Sequence, residues 1–496
     1  MILKIEFNYE FENNVARPSK DATLEEANSA LREQRKRVSE FYSQKNQEMI
    51  ALFDLPNETY ISKYAPIVFL DGNKAFNESL YNKINQISKS DKVKNIYIQN
   101  NKQNEIQTSF FDSTTIMNIQ DYIVNGFYDG TGATIGILDA GILDKNHVNF
   151  ANRSDIIVRN EWWFFETVSD HANKVTSIAG VNTGVARGAK ILSVQLSGEP
   201  SGEVEWMLDR DVNVINNSWR TSVSDGVYNS TSAYFDYIVK NTWVTVVSAV
   251  GNEGEVTGQE YVGNPALGYN VVSVGSVSNS MNVSTFSSFK ETSSISKPTL
   301  TAIGQNLTIP SYLLDIWGTS FAAPMVTGSI AILMQMFPSL KTHPEKVITL
   351  LTASATPMSG YTNYNTSGLE DKVGAGCLDL EKAHDIYWGG IEFSISSASP
   401  NSVVQQVYLS FSQPKNLRAS LTWLIDCNKS TNVSFSNYNL RLVDSNGIVI
   451  KSVSSTYNNL EFLDYDITSS GLYTLEVYLS GSKVGSSNDI CSISIN

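Results

Sequence analysis

The sequence predicts an α/β protein: a parallel sheet with helices on both faces, preceded by a small α+β unit and followed by an all-β, jelly-roll-like sandwich. Two observations carry this reading. Between residues 115 and 390, the apolar runs ATIGILD, AKILSVQL, VNVINNS, WVTVVSAV and YNVVSVGSV alternate with helical patterns. Such runs read as strands buried on both faces, linked by right-handed crossovers. From residue 391 the composition shifts to Ser, Asn, Val, Tyr and Leu, and apolar and polar residues alternate through SVVQQVYLSFS, LRASLTWLID and LYTLEVYLSG, the period of half-buried strands. The length of 496 residues suits two or three domains, divided here as 1–110, 115–390 and 391–496.

The first segment is charged and rich in Asn and Lys. TLEEANSALREQRKRVSEFYSQKNQEMIALF reads as one amphipathic helix, opened by a capping box between Thr23 and Glu26. Its basic cluster REQRKR is expected to be a solvated helix face. YAPIVFL and VKNIYIQN read as strands flanking a helix over KAFNESLYNKINQIS. In the last segment, Asn446-Gly447 between two alternating runs predicts a hairpin. Support of the central domain is its expected role, ahead of binding a surface or glycan.

A net charge of −14 argues against nucleic acid or an anionic membrane surface as the main partner. No apolar stretch is expected to reach transmembrane length. Three cysteines, Cys377, Cys427 and Cys491, show no metal-ligand or CxxC spacing. They allow one disulfide, with Cys427 and Cys491 the candidate pair. The opening MILKIEFNYEF lacks the basic start, apolar core and small-residue cleavage site of a signal peptide.

Chemistry is signalled by Gly318-Thr319-Ser320-Phe321-Ala322-Ala323-Pro324, a small-residue turn presenting one hydroxyl at the start of the apolar helix MVTGSIAILMQMF. A serine becomes a useful nucleophile only when a base takes its proton and dipoles stabilise the resulting oxyanion. Four histidines are available. His343 reads as a helix-entry residue, with Thr342 as cap, Pro344 in the first turn and Glu345 completing a capping box. His384 reads as structural and His147 as a packed loop residue. His171, in SDHANKVTSIAGV, stands in the first turn of a helix capped by Ser169 or Asp170, where a base is held rigidly. Asp139 ends the apolar run ATIGILD, where parallel sheets gather their ligand sites, although an N-cap or turn role suits it equally. Asn252, in VTVVSAVGNEG, is an oxyanion-donor candidate that also fits an ordinary turn.

Taken in order, Asp139-Ala140-Gly141, His171, Gly251-Asn252-Glu253-Gly254 and Gly318-Thr319-Ser320 resemble the subtilisin-like serine peptidases, the subtilase family. The segments GVARGAKILSVQL, NVINNSW, KPTLTAIG and VGAGCLDLEKAH extend the resemblance over roughly 115–390. It implies a subtilisin-like fold and a serine endopeptidase acting on proteins or peptides, with Ser320 as nucleophile, His171 as base, Asp139 orienting it and Asn252 in the oxyanion hole. It also implies substrate binding along Ser218, Trp219, Arg220 and Gly251. Two departures stand out. The usual His-Gly-Thr-His-Val is His171-Ala172-Asn173-Lys174-Val175, where Lys174 would bring a charge toward the base and lower its pKa. The usual Ser-Leu-Gly is Ser218-Trp219-Arg220, where Arg220 either narrows the specificity pocket, favours acidic residues or is solvated.

The first segment occupies the position of the family's propeptides, which assist folding and block the site, so it is expected to act as an intramolecular inhibitor released by a cut within residues 100–109. No cofactor is required by this chemistry; calcium stabilises many members, but no dense Asp/Asn loop assigns a site. A propeptide and a β-sandwich favour a secreted or cell-surface location despite the missing signal peptide. Two alternatives keep the same residues: an acyl transferase or macrocyclase, and a catalytically silent binding protein.

Overall fold

Seven short strands, nearly all apolar, line up in parallel at the centre of the computed structural model, which describes residues 2–12, 15–56, 59–71, 84, 87–99, 117–119, 128–150, 152–159, 166–181, 184–221, 226–291, 295–307, 316–425, 433–485 and 487–496. The boundary expected at 110–115, the cut expected within 100–109, and nearly all of the helix expected over residues 74–88 lie outside the described residues.

Chain order begins with a four-stranded antiparallel sheet made of β1 (Ile2–Phe7), β2 (Tyr60–Ile61), β3 (Ile67–Asp71) and β4 (Val93–Gln99), arranged β2-β3-β1-β4. The helix α1 (Leu24–Phe53) carries the expected capping box, with the Glu26 N–H donating to Thr23 Oγ1 at 3.2 Å and the Thr23 N–H to Glu26 Oε2 at 2.8 Å. Ala27, Leu31, Val38 and Tyr42 form its buried stripe at helical spacing.

The central sheet contains β5 (Thr134–Asp139), β6 (Ile156–Val158), β7 (Lys190–Gln195), β8 (Val214–Asn217), β9 (Thr245–Ala249), β10 (Val272–Val277) and β11 (Leu300–Ile303), in the order β11-β10-β9-β8-β5-β7-β6. Every pairing in it is parallel. Among the described residues this part of the chain also carries the α-helices α2 (Asp170–Gly180), α3 (Ser201–Leu208), α4 (Ser230–Thr242), α5 (Thr319–Met336), α6 (Pro344–Ser354) and α7 (Leu380–Ile386). The strand order changes direction around β5, the place where an open sheet leaves a crevice at its carboxyl edge. Contrary to expectation, α5 is long and apolar enough to cross a membrane by length and composition, yet most of it is buried inside the protein. It packs on α2 at Gly328, where an added Cβ would sit 2.4 Å from the Ala179 carbonyl oxygen.

The N-terminal unit is fused to this domain by buried polar contacts, which corrects the reading of REQRKR as a solvated face. Arg32 and Arg37 are exposed, but Gln34 and Arg35 are buried. Gln34 Nε2 donates to the Asn241 carbonyl at 2.7 Å. Arg35 donates to the carbonyls of Thr242 (3.3 Å) and Val212 (2.5 Å), and burial depresses its guanidinium to about 10. Elsewhere the Glu205 carboxylate of α3 accepts from Tyr60 Oη (2.7 Å), Ser62 Oγ (2.6 Å) and the Lys63 N–H (3.2 Å). Despite these donors, burial pushes Glu205 up to about 6.

Beyond Ile391 two four-stranded antiparallel sheets face each other. One is ordered β14 (Ile391–Ile395), β21 (Asp489–Ile495), β16 (Lys415–Trp423), β19 (Leu460–Ile467); the other β15 (Ser402–Phe411), β20 (Gly471–Ser480), β17 (Asn437–Asp444), β18 (Val449–Val453). Leu417, Leu421 and Trp423 from one sheet meet Tyr438, Leu440, Leu475 and Val477 from the other. Asn446-Gly447 turns β17 into β18 as expected, with the Asp444 N–H donating to Ile448 at 2.9 Å. The first sheet turns its polar edge of Ser420, Ser492 and Ser494 onto α6, where Thr349 and Thr352 hydrogen-bond to them at 2.7 to 3.1 Å. Cys377 and Cys491 are buried free thiols, so the expected pairing of Cys491 is not made; Cys427 lies outside the described residues.

Two outcomes follow from these packings. Gly328→Ala forces α2 and α5 apart and is expected to lower stability by about 1–3 kcal/mol, measured by urea denaturation. For Glu205, the folded value of about 6 lies above the reference 4.5. Its ionisation therefore penalises the folded state progressively from pH 4.5 to 6 and fully above that, by about 2 kcal/mol for a 6 − 4.5 difference. The stability of the wild type relative to Glu205→Gln should fall across that window and then level off, read from paired urea titrations between pH 4 and 8.

Candidate active site

The crevice at the carboxyl edge of β5 begins with Asp139, which has no exposed surface. Its Oδ1 accepts the Ala140 N–H at 2.8 Å. The chain after it bridges to the segment entering α2, with the Ile142 N–H donating to the Thr167 carbonyl and the Ser169 N–H to the Ile142 carbonyl, both at 2.9 Å. Ser169 then caps α2 through the Ala172 N–H. This clamp delivers His171, whose Nδ1 lies 2.8 and 2.9 Å from the two carboxylate oxygens of Asp139. A carboxylate on Nδ1 fixes the proton there and leaves Nε2 with its lone pair. Nε2 is buried and makes no hydrogen bond. The Phe321 ring packs on the imidazole with centroids 5.4 Å apart.

Lys174, one turn further along α2, is matched by Asp170 at 2.6 Å. The charge expected near His171 is thus half of a local ion pair. Ala172 and Asn173 are buried, and Asn173 Oδ1 accepts the Asp144 N–H at 2.7 Å.

Ser320 sits in the first turn of α5, after Gly318 at φ 147°. Thr319 holds this turn to the end of β9: its N–H donates to Asn252 Oδ1 at 2.9 Å, and its hydroxyl lies 2.9 Å from the same oxygen. That hydroxyl also lies 3.2 Å from the Gly251 carbonyl and accepts the Gly251 N–H at 3.2 Å. With Oδ1 so engaged, the Asn252 amide is oriented with Nδ2 above Gly318, 3.6 Å from where a Cβ there would lie. Ser320 Oγ donates to the Ser218 carbonyl at 3.2 Å rather than to His171. In return Ser218 Oγ donates to the Ser320 carbonyl at 2.7 Å and is itself held by Asn216 Nδ2 at 2.8 Å.

Trp219 turns inward, its Nε1 donating to Asn217 Oδ1 at 3.1 Å, so it packs the strand rather than facing the crevice. Arg220 is ion-paired with Glu253 and partly buried, which removes the solvated alternative. Thr319, Glu253 and Phe321 stood within the motifs read from sequence but were given no role of their own; each directly follows or precedes a residue that was. Of the other histidines, His343 is itself the N-cap of α6 and makes no side-chain cap, while Thr342 bonds back to Ser339, so the expected capping box is absent. His384 stacks on Phe337, and His147 packs against Phe150. Among the described residues, no group of three or more His, Cys, Asp or Glu is placed to hold a metal ion.

A family model described as the subtilase family matches residues 130–376. The chain belongs to the subtilase family. Fervidolysin of Fervidobacterium pennivorans is 28% identical over 230 residues, 40% of this chain and 31% of that protein. Subtilisin NAT of Bacillus subtilis subsp. natto is 27% identical over 230 residues, 43% of this chain and 58% of that protein. The match therefore spans from under a third to little more than half of these relatives' length. Among solved structures, the prenylagaramide maturation protease PagA is similar with a TM-score of 0.44 and 23% identity, over 55% of this chain and 98% of that one. The parallel sheet with its helices is the subtilisin fold, here with a β-sandwich behind it.

Thr319→Val removes the hydroxyl that ties α5 to β9. It is expected to lower stability by about 1–2 kcal/mol and to leave Asn252 Oδ1 held by the residue-319 N–H alone, seen as a lower urea midpoint and a shifted amide resonance.

Proposed function

We propose that this subtilase is a serine endopeptidase in which Ser320, His171 and Asp139 act as nucleophile, base and orienting carboxylate. The observation that carries the reading is the buried Asp139–His171 contact, which leaves an unpartnered Nε2 behind the helix turn that bears Ser320. On substrate binding the Ser320 hydroxyl exchanges its bond to the Ser218 carbonyl for one to Nε2. The oxygen attacks the scissile carbonyl while Nε2 takes the proton. The imidazolium, stabilised by Asp139, then protonates the leaving amine, and the acyl-enzyme is hydrolysed by a water activated in the same way. Asn252 Nδ2 and the Ser320 N–H, in the first turn of α5 where helix N–H groups lack internal partners, would hold the oxyanion. The backbone of residues 218–220, which continues from the end of β8, is the edge along which a peptide would lie. Helix α1 docks on the end of α4 through Gln34 and Arg35, and Ser62 docks on Glu205 of α3, which supports an N-terminal segment that assembles with the enzyme and restrains it until cut.

The test is intact mass of the wild type and Ser320→Ala after incubation at neutral pH, beside labelling with a fluorophosphonate. Only the wild type should label, and only it should split between residues 100 and 115. Asp139→Asn should lower kcat by roughly 10⁴, the size seen when the imidazole loses its correct tautomer. An unlabelled wild type would leave a silent binding protein; labelling with amine-transfer products in place of hydrolysis would make it an acyl transferase.

A further inference from the structure

Arg220 and Glu253 stand on the two backbone edges that flank Ser320. Ser218, two residues before Arg220, exchanges hydrogen bonds with Ser320, and Asn252, next to Glu253, holds Thr319. A substrate carbonyl placed at Ser320 and Asn252 must send its own residue's side chain into the gap between these edges. Gly251 and Gly263 line that gap. A Cβ at Gly263 would lie 2.9 Å from both Cβ and Cδ of Arg220, and a Cβ at Gly251 would lie 2.9 Å from Glu253 Oε2 and 3.4 Å from Arg220 Cδ. Two glycines make the room, and the Arg220 stem takes it up.

The charges in the gap are matched. The Arg220 guanidinium pairs with Glu253 Oε1 and also donates to the Thr221 carbonyl at 3.2 Å. Glu253 Oε2 is fixed by the Asn252 N–H at 3.0 Å and Ser288 Oγ at 3.3 Å. The carboxylate is thus held by its backbone, and the arginine is the movable half of the pair.

We infer that the Arg220–Glu253 pair plugs the side-chain recess beside Ser320 and confines cleavage to bonds after small uncharged residues, glycine, alanine or serine. This rests on the peptidase reading above. Because the pair is neutral, neither acidic nor basic side chains are drawn in, which departs from the acid preference a lone arginine would give. Removing Arg220 opens the recess and exposes a fixed carboxylate at its wall, a site suited to the cationic side chains of lysine and arginine.

The experiment measures kcat/KM on peptides differing only in the residue before the cut: Ala, Ser, Phe, Arg or Asp. The wild type is expected to favour Ala and Ser at least tenfold over the other three. Arg220→Ala should raise the Arg-to-Ala ratio at least tenfold and leave Asp excluded. Arg220→Met, which refills the recess without charge, should still exclude Phe. A wild type that cuts after Phe as readily as after Ala overturns the inference, as does an Arg220→Ala enzyme that labels with fluorophosphonate but keeps the wild-type profile. If the Ala variant does not fold, the wild-type and Met profiles decide the matter alone. A wild type that neither labels nor cuts any peptide removes the peptidase reading and this inference with it.

Discussion

A carboxylate with no contact to water must find its donors inside the protein, and the carboxyl edge of the sheet is organised around meeting that demand for Asp139. The Ala140 N–H supplies one donor and the His171 imidazole another. For the imidazole to arrive, α2 has to start where it does, which requires the Ile142–Thr167 backbone bridge and the Ser169 cap. Phe321 closes over the ring and so ties the position of α5 to the same group. Strand end, helix start and helix turn are thus fixed by the solvation of one side chain.

The second organising feature is how polar the joints are. The N-terminal unit, the central domain and the β-sandwich share hydrophobic clusters, yet the contacts that set their alignment are hydrogen bonds: Gln34 and Arg35 to the end of α4, Thr349 and Thr352 to the serines of β16 and β21. Asn270 adds another joint, holding Ile425 and Asn459 of the sandwich at 3.0 and 3.1 Å. Apolar surfaces can slide against each other at little cost, whereas a buried donor left without its acceptor costs about 1–3 kcal/mol. Such joints lock a single arrangement.

What was legible in the sequence was local. The buried strands, the Thr23–Glu26 capping box, the Asn446-Gly447 hairpin and the polar residues at strand ends all advertise themselves within a few positions. The placement of His171 in a first turn after Ser169 was readable for the same reason. What stayed hidden depends on partners far along the chain. Nothing near Arg35 signals that the Val212 and Thr242 carbonyls await it, and the three readings of Arg220 stay open until Glu253 is folded beside it. The Ser320 bond to Ser218 joins residues 102 apart, and no spacing rule announces it. His343 does enter α6 as expected, but its flanks misled on the cap, because Thr342 prefers the carbonyl of Ser339 in the preceding turn.

The docking of α1 has a consequence for the order in which the chain takes shape. The carbonyls of Asn241 and Thr242 are at the end of α4, where a helix has no internal donors for them. Gln34 and Arg35 supply those donors from 207 residues upstream. During synthesis α1 is complete long before α4 exists, so it stands as a waiting template. Its 30 residues and its own cap give it the means to persist alone until then. When α4 emerges, its last turn is finished by a surface already made. A helix made early in synthesis thereby becomes a jig on which a later helix is ended at the right residue.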